Sequence, residues 1–273
     1  MTLEEKDRSL REGIRPLGKA AVAFSGGVDS TFLCRVAHDV LGQGALAVTV
    51  VSPMFPQGEL REARELAGAI GIRHVLLEDP VIEGKVAANP KDRCYHCKKI
   101  EFAAVVRAAA DQGITHVLDG SNADDASDYR PGAAAGRELG IASPLRDAGL
   151  RKAEIRELSR RLGLPTWDKP AFACLASRVP YGEPITAEKL RMVDRAEEYL
   201  RSLGLRQVRV RIHDRMARIE AAPEERGKLL HVEVLDEVSA RLKSFGFLYV
   251  CMELEGYTMG SLNRAIAEGG ANG

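Results

Sequence analysis

The segment Ala21–Ser30, AVAFSGGVDS, constrains the fold more than any other part of the chain. A short apolar run enters a glycine-rich turn, and a helical pattern follows the turn at once. The backbone amides of Gly26 and Gly27 can approach an anion without an intervening Cβ, and the hydroxyls of Ser25 and Ser30 add donors. The following helix directs the positive end of its dipole at the same point. The segment therefore predicts a phosphate-binding turn between a strand and a helix.

The turn lacks the G-x-x-x-x-G-K-[ST] pattern that cradles β- and γ-phosphates in kinases and GTPases. SGGVDS resembles instead the pyrophosphate loop of ATP-dependent adenylating enzymes, which hold the β,γ-pyrophosphate as the leaving group while AMP passes to the substrate. Asp29 is a candidate ligand of Mg²⁺ or a pyrophosphate-side group, because Mg²⁺ offsets the charge between phosphates. The alternative is an acid that only stabilises a helix N-terminus. Asp29 and Ser30 are both predicted to face the surface.

Composition argues against several classes of protein. The 273 residues carry 39 Lys and Arg against 39 Asp and Glu, so the formal net charge is zero and gives no general attraction to nucleic acid. No apolar run is long enough to cross a bilayer, and the charged start, MTLEEKDRSLREGIR, has a helical pattern without the apolar core of a signal peptide. We expect a cytoplasmic protein without membrane contact, whose five cysteines do not form a disulfide framework.

Strand and helix patterns alternate along the first half of the chain. The predicted strands are Ala20–Phe24, Ala45–Val51, His74–Leu77 and Thr115–Leu118, and the predicted helices are Ser30–Leu41, Glu59–Ile70, Arg93–Ala110 and Arg151–Leu162. This order predicts an α/β fold with a doubly wound parallel sheet and right-handed crossovers over residues 1–184. Because SGGVDS lies in it and resembles the pyrophosphate loop, we expect this domain to be an ATP pyrophosphatase. Ligands of such sheets bind at the carboxyl ends of the strands, where SGGVDS and DGSNADD would both lie.

The pattern changes after Pro184, and residues 185–273 are predicted to form a smaller α+β domain for substrate binding or oligomerisation. Its predicted helices are Ala187–Leu203 and Glu224–Leu242, and its predicted strands are Gln207–Ile212, Ala217–Ala221 and Phe247–Glu253.

Three cysteines form a candidate metal site. Cys94 and Cys97 lie one helical turn apart in RCYHCKK, and Cys174 lies in the specialised loop PAFACLASRVPYG. Three thiolates from two segments could hold an iron–sulfur cluster with one iron free of protein ligands. A zinc site would require a fourth ligand, and His96 points away from the face of the Cys pair. A thioredoxin-like pair would leave Cys174 unexplained. Unrelated thiols remain an alternative.

Other residues of these types have simpler predicted roles. Cys34 and Cys251 lie in apolar periodic runs and are predicted to be buried in the core. Trp167 is predicted to be a packing residue rather than a residue that stacks on a base.

Four segments together resemble a known family, the ATP-dependent sacrificial sulfur transferases that help to make the nickel-pincer nucleotide cofactor of lactate racemase. They are SGGVDS, NPKDRCYHCK, DGSNADDASDYRPG and LRKAEIRELSRRLGLPTWDKPAFACLASRVPYG, and the similarity extends to RVRIHDRMARIE and LEGYTMGSLN. The resemblance implies the pyrophosphate-loop fold, also called adenine nucleotide α-hydrolase-like. It implies that ATP adenylates a carboxylate of a pyridinium dicarboxylate mononucleotide and releases pyrophosphate. A sulfur nucleophile then displaces AMP and leaves a thiocarboxylate.

The resemblance leaves two sulfur chemistries open. In members with a single cysteine in the DKPA-type loop, that cysteine forms a thioester, gives up its own sulfur and becomes dehydroalanine, and Cys174 matches its position. Cys94 and Cys97 resemble the subgroup with three cysteines, which is thought to use a 4Fe–4S cluster. There the open iron could carry sulfide from an external donor, so that the protein acts as a true catalyst.

Further candidates follow from position. Asp124 and Asp125 come after the strand at Leu118 and are candidates for binding ATP through its ribose or a metal, with a solvated turn as the alternative. Ser177 and Arg178 follow Cys174 and are candidates to orient the acyl phosphate.

Arg209 and Arg211 share one face of a predicted strand and suit a substrate phosphate or carboxylate, the alternative being a solvated basic face. Glu197 and Glu220 occupy positions that resemble divalent-metal ligands of the family, although surface acids are common.

Three alternative functions remain. A tRNA thiolation enzyme shares the loop, but it would need a basic face or an RNA-binding domain. An amidotransferase-type synthetase, as for NAD or GMP, would leave three cysteines without a task. A non-enzymatic nucleotide-binding regulator is the third. We expect a homo-oligomer.

Overall fold

The computed structural model describes residues 1–78, 82–127, 131–170 and 173–258. The chain divides into two compact units: Met1–Val81 with Asp92–Phe172, and Ile82–Lys91 with Ala173–Gly273. The predicted domains, residues 1–184 and 185–273, stay a prediction. Residues 128–130 of DGSNADDASDYRPG, residues 171–172 of DKPAFACLASR and the end of LEGYTMGSLN lie outside the described residues.

The described elements are, in chain order, α1 (Leu3–Ile14), β1 (Ala20–Ala23), α2 (Val28–Leu41), β2 (Ala45–Val51), α3 (Gln57–Ile70), β3 (Arg73–Glu78), α4 (Gly84–Ala87), α5 (Arg93–Asp111), β4 (Val117–Leu118), α6 (Pro131–Glu138), α7 (Pro144–Asp147), α8 (Lys152–Arg161), α9 (Ala187–Ser202), β5 (Val208–His213), β6 (Met216–Ala221), α10 (Val232–Ser244) and β7 (Tyr249–Met252). Short 3₁₀ turns connect several of them.

The first unit is built on a four-stranded parallel sheet in the order β3-β2-β1-β4. Because side chains of a strand alternate between its two faces, β1 contributes to two separate cores. Ala20 and Val22 pack with α1, α2, α3, α7 and α8 on one face, and Ala21 packs with α5 on the other. Helices on both faces confirm the predicted α/β class with a doubly wound parallel sheet.

The predicted strands and helices of this unit are confirmed, with ends that shift by no more than two residues. The glycines that end the patterns account for this accuracy. Gly71, for example, has a φ of 82° and caps α3 in the left-handed region, which other residues rarely adopt.

The second unit contains a three-stranded mixed sheet in the order β5-β6-β7, with α9 and α10 beside it. β5 and β6 are antiparallel, and β6 and β7 are parallel. The predicted start of the helix Glu224–Leu242 is wrong, because α10 begins at Val232. The Glu225 carboxylate accepts the backbone N–H groups of Arg206 and Gln207, and a separate 3₁₀ turn, Arg226–Leu229, follows.

The predicted burial of Cys251 is also wrong, because its side chain is exposed. β7 lies at an edge of the sheet and its residues alternate between exposed and half-buried positions, so an apolar run there does not indicate a core strand. Cys34 is buried in α2, as predicted. No helix in the described part of the chain is long and apolar enough to span a membrane.

Candidate active site

The turn between β1 and α2 has the form that the sequence predicts. Gly26 has a φ of 71°, and a Cβ at this residue would lie 3.3 Å from the Cβ of Ala63 on α3. Gly27 is the N-cap of α2, so the amides of the first helical turn have no acceptor within the helix. Such amides, together with the helix dipole, form an anion site.

The two serines of the turn hold its conformation. The Ser30 hydroxyl donates to the Gly27 carbonyl at 3.2 Å and accepts from the Ser25 amide at 3.3 Å. The two hydroxyl oxygens are 3.1 Å apart. The prediction that Ser30 faces the surface is wrong, because only 5% of the residue is exposed. Its hydroxyl turns inward because the turn needs a donor and an acceptor to close, whereas Ser25 is exposed.

Asp29 is half-buried beside the turn and is held by a lysine. Lys152 Nζ is 2.6 Å from Asp29 Oδ2, and the side-chain amide nitrogen of Asn122, Nδ2, lies 3.4 Å from the same oxygen. Burial and the nearby Asp125 raise the pKa of Asp29, although Lys152 opposes this shift. Asp29 Oδ1 is buried without a hydrogen-bond partner among the described residues. A carboxylate oxygen of this kind suits a hard cation such as Mg²⁺.

The segment DGSNADD lies against the same turn. A Cβ on Gly120 would lie 3.0 Å from the backbone nitrogen of Ser30, so the two backbones touch where β4 and β1 end. The Asn122 backbone N–H donates to the Asp125 carboxylate at 2.9 Å, and the Asp124 carboxylate accepts the backbone N–H of Lys152 at 2.8 Å. The structure thus brings both predicted segments together. The ATP-binding role of Asp125 stays a prediction.

Three residues at this site were missed in the sequence: Asn122, Lys152 and Lys169. Lys169 Nζ donates to the carbonyl of Gly26 at 3.2 Å, and it is 2.7 Å from both Glu59 Oε2 and Glu62 Oε2. All three lie inside the segments that resemble the sulfur transferases. Their sequence context was therefore a signal, although no spacing rule pointed to them.

Cys94 and Cys97 lie in the first two turns of α5, and both are half-buried. The Cys97 thiol donates to Glu101 at 3.3 Å. His96 Nε2 is 3.0 Å from an Asp92 carboxylate oxygen, so this ring has a partner of its own. Within the described ranges, no group of three or more His, Cys, Asp and Glu side chains is arranged to hold a metal ion. The cluster ligands Cys94, Cys97 and Cys174 stay a prediction.

Cys174 is exposed in the second unit, at the start of the 3₁₀ turn Leu175–Arg178. Its carbonyl accepts the Ser177 hydroxyl at 2.9 Å and a guanidinium nitrogen of Arg178 at 3.1 Å. Ser177 and Arg178 therefore fix the backbone that carries the thiol.

Arg178 is completely buried and forms a bidentate ion pair with Glu197, at 2.7 and 2.9 Å. Glu197 also accepts from Arg201 at 2.8 Å and from the Val210 amide at 3.0 Å. Burial opposes ionisation of Glu197, but the arginines outweigh it and lower the pKa of this carboxyl. Its four donors show that the carboxylate is engaged inside the unit. The metal-binding role of Glu197 stays a prediction.

Arg209 and Arg211 lie on one face of β5, 3% and 6% exposed, so they do not form a solvated basic face. Arg211 donates to Glu220 at 3.0 and 3.1 Å and to the Ser177 carbonyl at 2.6 Å. Burial lowers the pKa of Arg209 to about 10, and the charge of Arg178 acts in the same direction. The substrate-anion role of Arg209 and Arg211 and the metal role of Glu220 stay predictions.

Trp167 is 42% exposed, and its expected packing role stays a prediction. The 3₁₀ turn Pro165–Asp168 carries the ring outward, into an open pocket that Arg156 and Arg160 also line.

The first unit defines a class of protein: a parallel α/β domain whose first strand leads into a glycine turn without a lysine of its own, as in pyrophosphate-loop ATPases. No family model matches the chain. The chain is 47% identical over 267 residues to an uncharacterized protein of Synechocystis sp. The aligned region covers 97% of this chain and 100% of that relative.

The chain is also 37% identical over 270 residues to pyridinium-3,5-bisthiocarboxylic acid mononucleotide synthase of Lactiplantibacillus plantarum, across 98% of this chain and 97% of that enzyme. The chain belongs to the family of this synthase, and it is an enzyme. A more distant relative is one of the subunits of the glutamine-hydrolyzing GMP synthase from Pyrococcus furiosus. It is 31% identical over 226 residues, which are 75% of this chain and 70% of that protein. GMP synthases are also pyrophosphate-loop ATPases.

We expect Glu197→Gln to lower the free energy of unfolding by about 3–5 kcal/mol at neutral pH, because it leaves Arg178 buried without its counter-charge. A carboxyl with a lowered pKa stabilises the fold above its ordinary value of 4.5, and this contribution is lost as the pH falls through the folded-state pKa. Urea unfolding between pH 7 and pH 3 should therefore show a weaker acid dependence in the variant. Glu188→Gln, at an exposed glutamate of α9, is the control and should change stability by less than about 1 kcal/mol. Equal stability of Glu197→Gln and the wild type would contradict this account.

Proposed function

We propose that this enzyme is an ATP-dependent sulfur transferase that converts carboxylates of pyridinium-3,5-biscarboxylic acid mononucleotide into thiocarboxylates for a nickel-pincer cofactor. The observation that carries the proposal is the near full-length similarity to the Lactiplantibacillus plantarum synthase, whose name states the bisthiocarboxylic product. The pyrophosphate-loop geometry of the first unit supports the ATP-dependent half of the reaction. The proposed setting of the enzyme is the cytoplasm.

In the first step a substrate carboxylate oxygen attacks the α-phosphorus of ATP, and the bond from this phosphorus to the β-bridging oxygen breaks. The products are an acyl-adenylate and pyrophosphate. The amides of Gly26 and Gly27 and the start of α2 would receive the charge of the leaving pyrophosphate. Ser25 and Ser30 hold these amides in place. Asp29, whose Oδ1 has no hydrogen-bond partner in the part of the chain that the structure describes, would hold a Mg²⁺ ion that offsets the phosphate charge.

In the second step a sulfur nucleophile attacks the acyl carbon, and AMP leaves with the bridging oxygen. We assign the sulfur chemistry to Cys94, Cys97 and Cys174, whose thiols suit a 4Fe–4S cluster as soft ligands. Such a cluster would supply an iron without a protein ligand, at which sulfide from an external donor binds. Ser177 and Arg178 hold the backbone of Cys174, so the thiol is presented from a fixed turn. The competing assignment is that Cys174 gives up its own sulfur.

GMP synthase supplies the second candidate function, because the Pyrococcus furiosus relative covers much of the chain. Both reactions begin by adenylation, and they differ in the nucleophile, which is ammonia in a GMP-synthase-like ligase. The three cysteines favour sulfur. Comparing sulfide with ammonium as the second reactant separates the two functions.

Incubation with ATP, Mg²⁺ and the dicarboxylate mononucleotide should yield AMP and pyrophosphate, which ion-pair chromatography resolves from ADP. We expect Asp29→Asn to lower the rate at least about a hundredfold, because it removes the charge that would hold Mg²⁺. Ser30→Ala should slow the reaction less, about tenfold, through a loosened turn. Arg15→Gln, at an exposed arginine that precedes β1 and so lies at the opposite end of this strand from the turn, serves as the control. Formation of ADP and inorganic phosphate would refute adenylation.

Arg209→Gln should weaken binding of the substrate by about a hundredfold and leave ATP binding unchanged, because a charge-assisted contact to a substrate anion costs roughly 2–3 kcal/mol when it is lost. Arg209 is preferred to Arg211 for this test, since removal of Arg211 would strip buried Glu220 of a partner. Isothermal calorimetry measures both affinities. The control is Arg215→Gln, at an exposed arginine in the same unit. Unchanged substrate affinity in Arg209→Gln would end the assignment of this residue.

Protein reconstituted without oxygen should bind about one cubane cluster and run many turnovers with added sulfide. Substituting Cys94, Cys97 or Cys174 should abolish cluster retention, and Cys251→Ala should preserve it, since Cys251 is also exposed but lies on β7. Removal of iron with a chelator should stop turnover. Iron analysis and the intact mass after reaction distinguish sulfide bound to a cluster from the sulfur of Cys174 as the source of the transferred atom. A chain lighter by one hydrogen sulfide, with a single turnover and no iron, would mean that Cys174 is consumed.

A further inference from the structure

A lysine from a distant part of the sequence contacts the pyrophosphate loop. Lys169 follows the 3₁₀ turn Pro165–Asp168, and its side chain is 11% exposed. Its ammonium group donates to the Gly26 carbonyl at 3.2 Å. Loops of the kinase and GTPase type carry their own lysine for the phosphates, whereas SGGVDS has none.

We propose that Lys169 is a positioning residue that, through the Gly26 carbonyl, aims the Gly27 amide at the pyrophosphate of ATP. This inference rests on the proposed function.

The planarity of the peptide bond couples the direction of the Gly26 carbonyl to that of the Gly27 N–H. In a trans peptide the carbonyl of one residue and the N–H of the next point in opposite directions. Lys169 holds the Gly26 carbonyl on its own side, and the Gly27 N–H is thereby directed away from the lysine, at the N-terminal end of α2. Glycines on both sides of the peptide impose little restriction of their own. The ammonium group therefore supplies a constraint that the glycines lack.

Lys169 is itself held in place. Glu59 and Glu62 of α3 each have a carboxylate oxygen 2.7 Å from its Nζ. Arg156 of α8 donates to the backbone carbonyl of Lys169 at 2.6 Å, and to that of Trp167 at the same distance. The lysine thus has both its backbone and its charged end fixed, as a positioning role requires.

The same contacts offer a simpler explanation that the experiment must separate. Loss of the ammonium would leave the Glu59 carboxylate buried close to the loop, where its charge would destabilise the fold and repel phosphate. A Lys169→Met/Glu59→Gln double variant removes both charges of this pair. It restores electrostatic balance without restoring the donor to Gly26.

The experiment measures binding of inorganic pyrophosphate with Mg²⁺, and of AMP, by calorimetry on the full chain. We expect Lys169→Met to weaken pyrophosphate binding at least about tenfold and to change AMP binding less than about twofold, because AMP has no β- or γ-phosphate. Lys169→Arg, which keeps a charged donor, should recover most of the affinity. The double variant should recover thermal stability but not pyrophosphate binding. Lys189→Met, which breaks a partly buried ion pair with Glu183 in the second unit, is the matched control.

Unchanged pyrophosphate binding in Lys169→Met would overturn the inference. Full recovery of pyrophosphate binding in the double variant would also overturn it, because the lysine would then only neutralise Glu59. If Lys169→Met alone does not fold, the double variant decides the question. Failure of the proposed function is a separate result: the wild type itself would then release no pyrophosphate from ATP, whatever the variants bind.

Discussion

Close backbone approach at the turn between β1 and α2 is the constraint on which the first unit depends. A Cβ at Gly26 would lie only 3.3 Å from the Cβ of Ala63, and a Cβ at Gly120 only 3.0 Å from the backbone nitrogen of Ser30, whereas the glycines present have none. Three backbone segments can therefore meet at the carboxyl ends of β1 and β4. Where the segments meet, the side-chain amide of Asn122 lies beside the Asp29 carboxylate, and the ammonium group of Lys169 lies beside the Gly26 carbonyl. A side chain at either glycine would move one wall of the site.

The second unit depends on a different interaction, the burial of charge. Arg178 and Glu197 are both fully buried, and two of the three guanidinium nitrogens donate to the two carboxylate oxygens. Buried ion pairs contribute little net stability compared with apolar residues, because desolvation offsets their attraction. They do specify geometry, since neither partner can move without leaving the other unsatisfied. The geometry in question is that of the turn at Cys174, whose carbonyl Arg178 binds.

Sequence patterns predicted the strands and most helices because their signals are local. Apolar runs and terminal glycines located β1, β2 and α3 to within two residues. The errors arose where contacts between residues distant in the sequence determined the ends of elements or the burial of side chains. The helical pattern before Val232 was interrupted because Glu225 binds the backbone of Arg206 and Gln207, a contact between segments far apart in the pattern. Cys251 is exposed because it points to the same face of β7 as exposed Tyr249, whereas the residues that alternate with them are half-buried.

By itself the sequence determined the class of fold and the nature of the phosphate turn, because glycine spacing and strand periodicity act over a few residues. It also marked Cys94, Cys97 and Cys174 as unusual by their spacing and context. Only the tertiary structure decided that Ser30 turns inward, that Arg209 and Arg211 are buried, and that Lys152 and Lys169 reach the turn. These contacts join residues more than a hundred positions apart in the case of the lysines, as from Lys169 to Gly26. Side-chain burial and charge pairing depend on which distant residues the fold brings into contact, and a local sequence pattern does not contain this information.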